Sequence, residues 1–254
     1  MRRASTCVAV LGLAMLALTS VASAAPTVTF KAKAVPIKGF PHTGNILGAG
    51  TAFEAEFTIK GNEYGGYPPP IIGVNVIAPK GSKVNTKGFP TCSDKIIVEE
   101  KEPEKCPKGS AAGPVGHANG FVVFGSERVP ETVSIESFYA TGGGLNFYVA
   151  GHTPASIEIV SKGKFTHLST APEIEVEVPL VETVPGAPDA SVEKIVSKVG
   201  SAYKKHGKTY YYLKEPKKCP KGGFPVKAEV MFAGLGGLAP QTVVANYKAP
   251  CPRK

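Results

Sequence analysis

Along most of this chain apolar and polar side chains alternate with a period of two, and no ten-residue window carries an apolar stripe at helical spacing. Phe53, Ala55, Phe57 and Ile59 alternate with Glu54, Glu56, Thr58 and Lys60. Ile174, Val176, Val178 and Leu180 alternate with Glu173, Glu175 and Glu177, and Val28, Phe30, Ala32 and Ala34 with Thr29, Lys31 and Lys33. Successive side chains of a strand point to opposite faces, so each run has one apolar face to bury and one polar face to keep in water. Further runs of strand character are Ile71–Ile77, Lys95–Glu99, Val133–Tyr139, Leu145–Val149, Ser156–Val160, Val192–Val199, Thr209–Lys214, Val226–Phe232 and Thr242–Lys248. The expectation is an all-β fold of antiparallel sheets packed face to face, a β-sandwich or two in tandem. The glutamates along these runs read as the solvent face rather than as a catalytic array.

The first 24 residues form a separate unit. Arg2 and Arg3 make a positive start, Cys7–Leu18 is apolar, and Ala22-Ser23-Ala24 supplies a small-residue cleavage site. Twelve apolar residues are short of the roughly 20 that span a bilayer. Residues 1–24 therefore read as a signal peptide, and 25–254 as the mature all-β region, with no transmembrane segment in it. The expected location is extracellular or associated with the cell envelope. The mature region has 230 residues, of which 28 are Gly and 23 Pro. That places turns throughout, while Val, Ile and Phe are too regular for a disordered chain.

Removing Cys7 leaves Cys92, Cys106, Cys219 and Cys251, an even number in an oxidising compartment. Three pairings are possible, and geometry favours one. Val226–Phe232 and Thr242–Lys248 flank the turn-rich Gly234-Leu235-Gly236-Gly237 and read as a hairpin centred near residue 236. Cys219 and Cys251 then face each other at its open end, and Cys92 pairs with Cys106 across a short loop. Closely spaced cysteine or histidine pairs, which a zinc site needs, do not occur.

Glu102-Pro103-Glu104-Lys105-Cys106-Pro107-Lys108-Gly109 recurs as Glu215-Pro216-Lys217-Lys218-Cys219-Pro220-Lys221-Gly222, and Pro130-Glu131-Thr132-Val133 is echoed by Pro240-Gln241-Thr242-Val243. The offsets nearly agree. Either a β unit is duplicated, with a split into 25–127 and 128–254, or one domain reuses a turn motif.

The run from Lys80 to Cys92, K-G-S-K-V-N-T-K-G-F-P-T-C, continues in Cys106-Pro107-Lys108-Gly109-Ser110 and in the Cys219-Pro220 … Pro250-Cys251 frame. Together these resemble a group of uncharacterised secreted proteins from actinobacteria, over most of the mature region. Those relatives often carry a Trp in the C-terminal hairpin; here Phe224 stands near that place. The resemblance implies export and the cysteine frame, and no activity, ligand or catalytic residue.

Chemistry-bearing motifs are sparse. Asp94 and Asp189 are the only aspartates, no G-x-S-x-G elbow occurs, and the five histidines lack partners at ligand spacing. No catalytic, metal or cofactor site is read from the chain. Of the 29 basic residues, Arg2 and Arg3 leave with the leader, so the mature chain is +7 against 20 acidic residues. The lysines are scattered rather than gathered with arginines in an aromatic groove, which argues against nucleic acid. They thicken at Lys204-Lys205-His206-Gly207-Lys208 and at Lys217-Lys218. Candidate contacts are Lys204 and Lys205 with four tyrosines: Tyr64 and Tyr67 in a proline-stiffened loop, and Tyr210 and Tyr212 on one face of a strand. The reading is a non-enzymatic binding or structural module that meets an anionic cell-envelope polymer or a protein partner. The alternative is a secreted glycosidase-like hydrolase whose carboxylate pair is unmarked among the 18 glutamates.

Overall fold

The protein is described by a computed structural model over residues 25–124, 126–167, 171–182, 186–234, 237 and 239–252; the expected signal peptide lies outside the described residues. The strands are β1 (Thr27–Val35), β2 (Gly50–Lys60), β3 (Ile71–Ile77), β4 (Lys83–Val84), β5 (Gly116–Phe124), β6 (Glu127–Tyr139), β7 (Leu145–Gly151), β8 (Ile157–Thr166), β9 (Glu173–Glu177), β10 (Ser191–Val199), β11 (Ala202–Lys205), β12 (Lys208–Tyr211), β13 (Leu213–Lys214), β14 (Phe224–Phe232) and β15 (Gln241–Ala249). The fold is all-β and antiparallel, and it is sandwich-like.

One sheet runs β15-β14-β3-β9-β8-β7-β6-β5-β10-β2, with β1 on the remaining edge of β2. The short β13 and β4 extend it from the start of β2, through Leu213↔Thr51 and Leu213↔Val84. The two candidate units, 25–127 and 128–254, are interleaved in this order: β10 lies between β5 and β2, and β3 between β14 and β9. They share one sheet rather than forming two sandwiches in tandem. The sheet curls until its edge strands lie side by side, with the Phe30 ring of β1 6.4 Å from the Tyr247 ring of β15. Ten successive antiparallel pairings leave β15 running in the same direction as β1. An antiparallel ladder cannot join two such edges, and the sheet does not close into a barrel.

This ordering sorts the connections between two ends. At one end lie the turns after β1, β3, β6, β8 and β10, both disulfides, and β4 and β11–β13; it is called the cysteine end below. At the opposite end lie the turns after β2, β5, β7, β9 and β14.

Two segments depart from their sequence periodicity. Lys95–Glu99 is not a strand: Lys95–Glu100 forms one turn of π-helix, with Ile97 fully buried against the outer face of β6 and β7. Closure by Cys92–Cys106 and burial of Ile97 outweigh the β-propensity of Ile96-Ile97-Val98. Asp94 fastens the turn, accepting hydrogen bonds from Asn146 Nδ2 (3.1 Å) and Lys162 Nζ (2.8 Å). Conversely, Gly116–Phe124 is a central strand despite its glycines. A Cβ on Gly116 would stand 2.3 Å from Val196 O, and one on Gly120 2.0 Å from Ser191 O. Glycine here is what lets the bulged β10 approach.

Candidate functional site

Curling the sheet turns the apolar face of nearly every strand inward, and these faces do not fill the space between them. A cavity of about 290 Å³ remains, lined by residues such as Phe57, Val76, Ile135, Val149, Ile195 and Val226 from six different strands. Ala55, Ala118, Ser161 and Ser197 also line it, and their small side chains leave the room. Ligand pockets start near 300 Å³, and an engineered apolar cavity of about 150 Å³ already binds benzene. Exchanging packed side chains for a dry void costs about 24 cal/mol per Å³, or on the order of 7 kcal/mol here. That is comparable with the whole stability of an ordinary domain.

The lining is apolar until the cysteine end, where Lys83, Lys214, Glu215 and Pro250 join it. Lys83, Lys214 and Pro250 are exposed, so the cavity reaches the surface there. Glu215 is the one carboxylate among the described lining residues, and only 5 % of it is exposed. Its backbone N–H donates to Ala49 O (3.0 Å), but neither carboxylate oxygen has a hydrogen-bond partner. The nearby Thr51 hydroxyl donates instead to Ala52 O (2.8 Å). Burial pushes the Glu215 carboxyl up to about 7, opposed by the neighbouring Thr51 hydroxyl.

At the opposite end of the sheet the loop after β2 is clasped to the start of β6. Arg128 donates from Nη2 to Tyr64 O (2.7 Å), and its guanidinium lies 4.5 Å from the Tyr67 ring centroid and 5.2 Å from that of Tyr64. The Asp189 N–H donates to the Tyr64 hydroxyl (3.1 Å), and the Tyr67 ring packs 4.4 Å from Phe121. Tyr64 and Tyr67 thus spend their faces on an internal contact.

The other tyrosines separate as well. Tyr210 and Tyr212 do not share a strand face, because the chain bends at Tyr212 between β12 and β13. Tyr212 is 1 % exposed, 4.2 Å from the Tyr139 ring and 5.2 Å from Phe89. Burial raises the pKa of both Tyr139 and Tyr212, and the Tyr139 hydroxyl shares a 2.6 Å hydrogen bond with Ser201 Oγ. Tyr210 stacks on Tyr203 at 4.9 Å, and Phe89 meets Tyr203 edge-on. This column ties the β11–β12 hairpin to the core and leaves Lys204 and Lys205 exposed at its tip.

The cysteines pair as Cys92–Cys106 and Cys219–Cys251, the latter just beyond the last hairpin pair, Phe224↔Ala249. The glutamates of β2 lie on the outer surface, where Glu54 meets Lys33 (2.8 Å) and Lys198 (3.0 Å) and Glu56 meets Lys194 (3.4 Å), whereas Glu131 of β6 is buried and accepts from the Ala155 N–H (3.0 Å). Among the described residues no group of three or more His, Cys, Asp or Glu could hold a metal ion, and no helix is long and apolar enough to cross a membrane. Compared with known protein families, curated proteins and solved structures, the chain matches none.

Proposed function

We propose that the protein is an exported, non-enzymatic binding module that takes an apolar guest into the interior of its curled sheet, at or outside the cell envelope. The apolar cavity opening at the cysteine end carries this reading. Its lining favours transfer of hydrocarbon from water at about 25 cal/mol per Å² of buried apolar surface. The hydrolase alternative needs two facing carboxylates, and Glu215 stands alone among the described lining residues.

The test is titration of the purified, disulfide-oxidised protein with an uncharged fluorescent naphthylamine whose emission rises in apolar surroundings. Saturable binding of one probe per chain is expected. Ala118→Phe, which projects a ring into the cavity, should abolish it while thermal unfolding stays cooperative. Binding that survives in this variant would place the probe elsewhere and sink the proposal.

A further inference from the structure

The mouth of the cavity carries an unusual pair of charges. In the short β4–β13 ladder Lys83 and Lys214 stand directly opposite one another, and both line the cavity. Like charges at directly paired positions repel and weaken a ladder. Neither lysine forms an ion pair among the described residues. The Lys214 ammonium lies over the Tyr211 ring at 5.5 Å, and the Glu215 carboxylate, next in the chain, pairs with neither lysine. The lysine stems line the apolar space while both side chains stay exposed, the disposition of long cationic residues at an apolar–water boundary.

The mouth also sits in the most basic part of the molecule. The connections 36–49, 78–115 and 200–223 at the cysteine end contain fifteen lysines against six carboxylates, of which five lie within the Cys92–Cys106 segment and the sixth is buried Glu215. The described connections 61–70, 178–182 and 186–190 at the other end contain Glu63, Glu182 and Asp189 and no basic residue. An anion is therefore drawn toward the open end of the cavity and away from the clasped end.

We infer that the guest is a single-tailed amphiphile with an anionic head, its tail inside the curled sheet and its head between Lys83 and Lys214. This rests on the proposed cavity binding and adds the head-group class. A carboxylate or a phosphate head satisfies the same chemistry.

The test compares dodecanoate, dodecyl phosphate, dodecanol and dodecyltrimethylammonium as competitors of the uncharged naphthylamine, each below its critical micelle concentration and at low salt. Dodecanoate is expected to bind about tenfold or more tightly than dodecanol, the scale of a charge-assisted hydrogen bond. The trimethylammonium compound should bind weakest. Tighter binding of dodecyl phosphate than of dodecanoate would support the inference and identify the head as phosphate. In the Lys83→Gln/Lys214→Gln variant the ratio of dodecanoate to dodecanol affinity should fall to about one, each measured against that variant's own naphthylamine binding. The single Lys83→Gln variant should fall part of the way, and Lys83→Glu/Lys214→Glu should favour the cationic amphiphile. Equal affinity for dodecanoate and dodecanol would overturn the head-group inference and leave the cavity intact. Failure of the naphthylamine and every amphiphile to bind would overturn both.

Discussion

Glu215 is the residue whose chemistry is least expected from its place in the chain. It ends a lysine-bearing strand and opens a Pro-Lys-Lys segment, the pattern of an exposed turn, yet it is buried beside the cavity with both oxygens unpartnered. Its folded pKa, about 7, lies above the ordinary 4.5. The folded state therefore holds a proton that the unfolded chain releases between those values. Stability falls as pH rises through that window, by up to about 3 kcal/mol, and stays lower above it. Glu54 and Asp94 act in the opposite sense and elsewhere. Burial opposes Glu54, but Lys33 and Lys198 hold its pKa below the ordinary value, and Lys162 and Asn146 do the same for Asp94. Their contribution is lost only at more acidic pH. Asp189, raised chiefly by burial and then by Glu182, shares the sign of Glu215, so a variant is needed to separate the two. Urea midpoints should drop between about pH 5 and about pH 8 in the native protein. Glu215→Gln should remove most of that drop; a drop of unchanged size in the variant would assign it to other groups. The lone carboxyl was invisible in the sequence because burial there depends on β2, β13 and the turn after β1 meeting at one point.

At the scale of elements, strands with clean alternation were legible. Ile71–Ile77 is β3 over its full length, and the runs around Phe53, Val192 and Val226 are the cores of β2, β10 and β14. The hairpin geometry also located the Cys219–Cys251 pair. Alternation failed where a neighbour overrode it: Lys95–Glu100 turns to bury Ile97, and the Thr209–Lys214 run breaks at Tyr212 so that one ring enters the core. The two disulfides close loops 14 and 32 residues apart in sequence, for which chain entropy gives about 3 and about 4 kcal/mol. Cys92→Ala/Cys106→Ala should lower the unfolding free energy by about 3 kcal/mol and open Lys95 and Lys101 to trypsin. Cys219→Ala/Cys251→Ala should cost about 4 kcal/mol without exposing that turn. Resistance of the turn to trypsin in the first variant would mean that Asp94, Asn146 and Lys162 hold it without the disulfide.

The whole molecule is polarised, with a disulfide-braced open end where lysines outnumber carboxylates and a clasped end whose described connections carry Glu63, Glu182 and Asp189 beside Arg128 of β6. Such a field acts on encounter with anionic surfaces, and salt shortens its reach from about 10 Å at 0.1 M to about 3 Å at 1 M. Retention on anionic envelope polymer should accordingly fall steeply over that range. Lys204→Gln/Lys205→Gln should weaken it further while naphthylamine binding is unchanged. Retention indifferent to salt would remove the electrostatic part of the proposal.

Period-two alternation and the spacing of turns and cysteines determined the all-β class, most strand cores and the disulfide pairing, because each depends on contacts near in the chain or on which side of a strand must be buried. The cavity, its mouth and the polarity of the ends were decided only by tertiary structure. Alternation says that Ala55, Ala118 and Ser161 face inward. It does not say that eleven strands curl around one interior, nor that those small side chains leave it unfilled. Lys83 and Lys214 are 131 positions apart, and their opposition across a two-residue ladder exists only once that curl has formed.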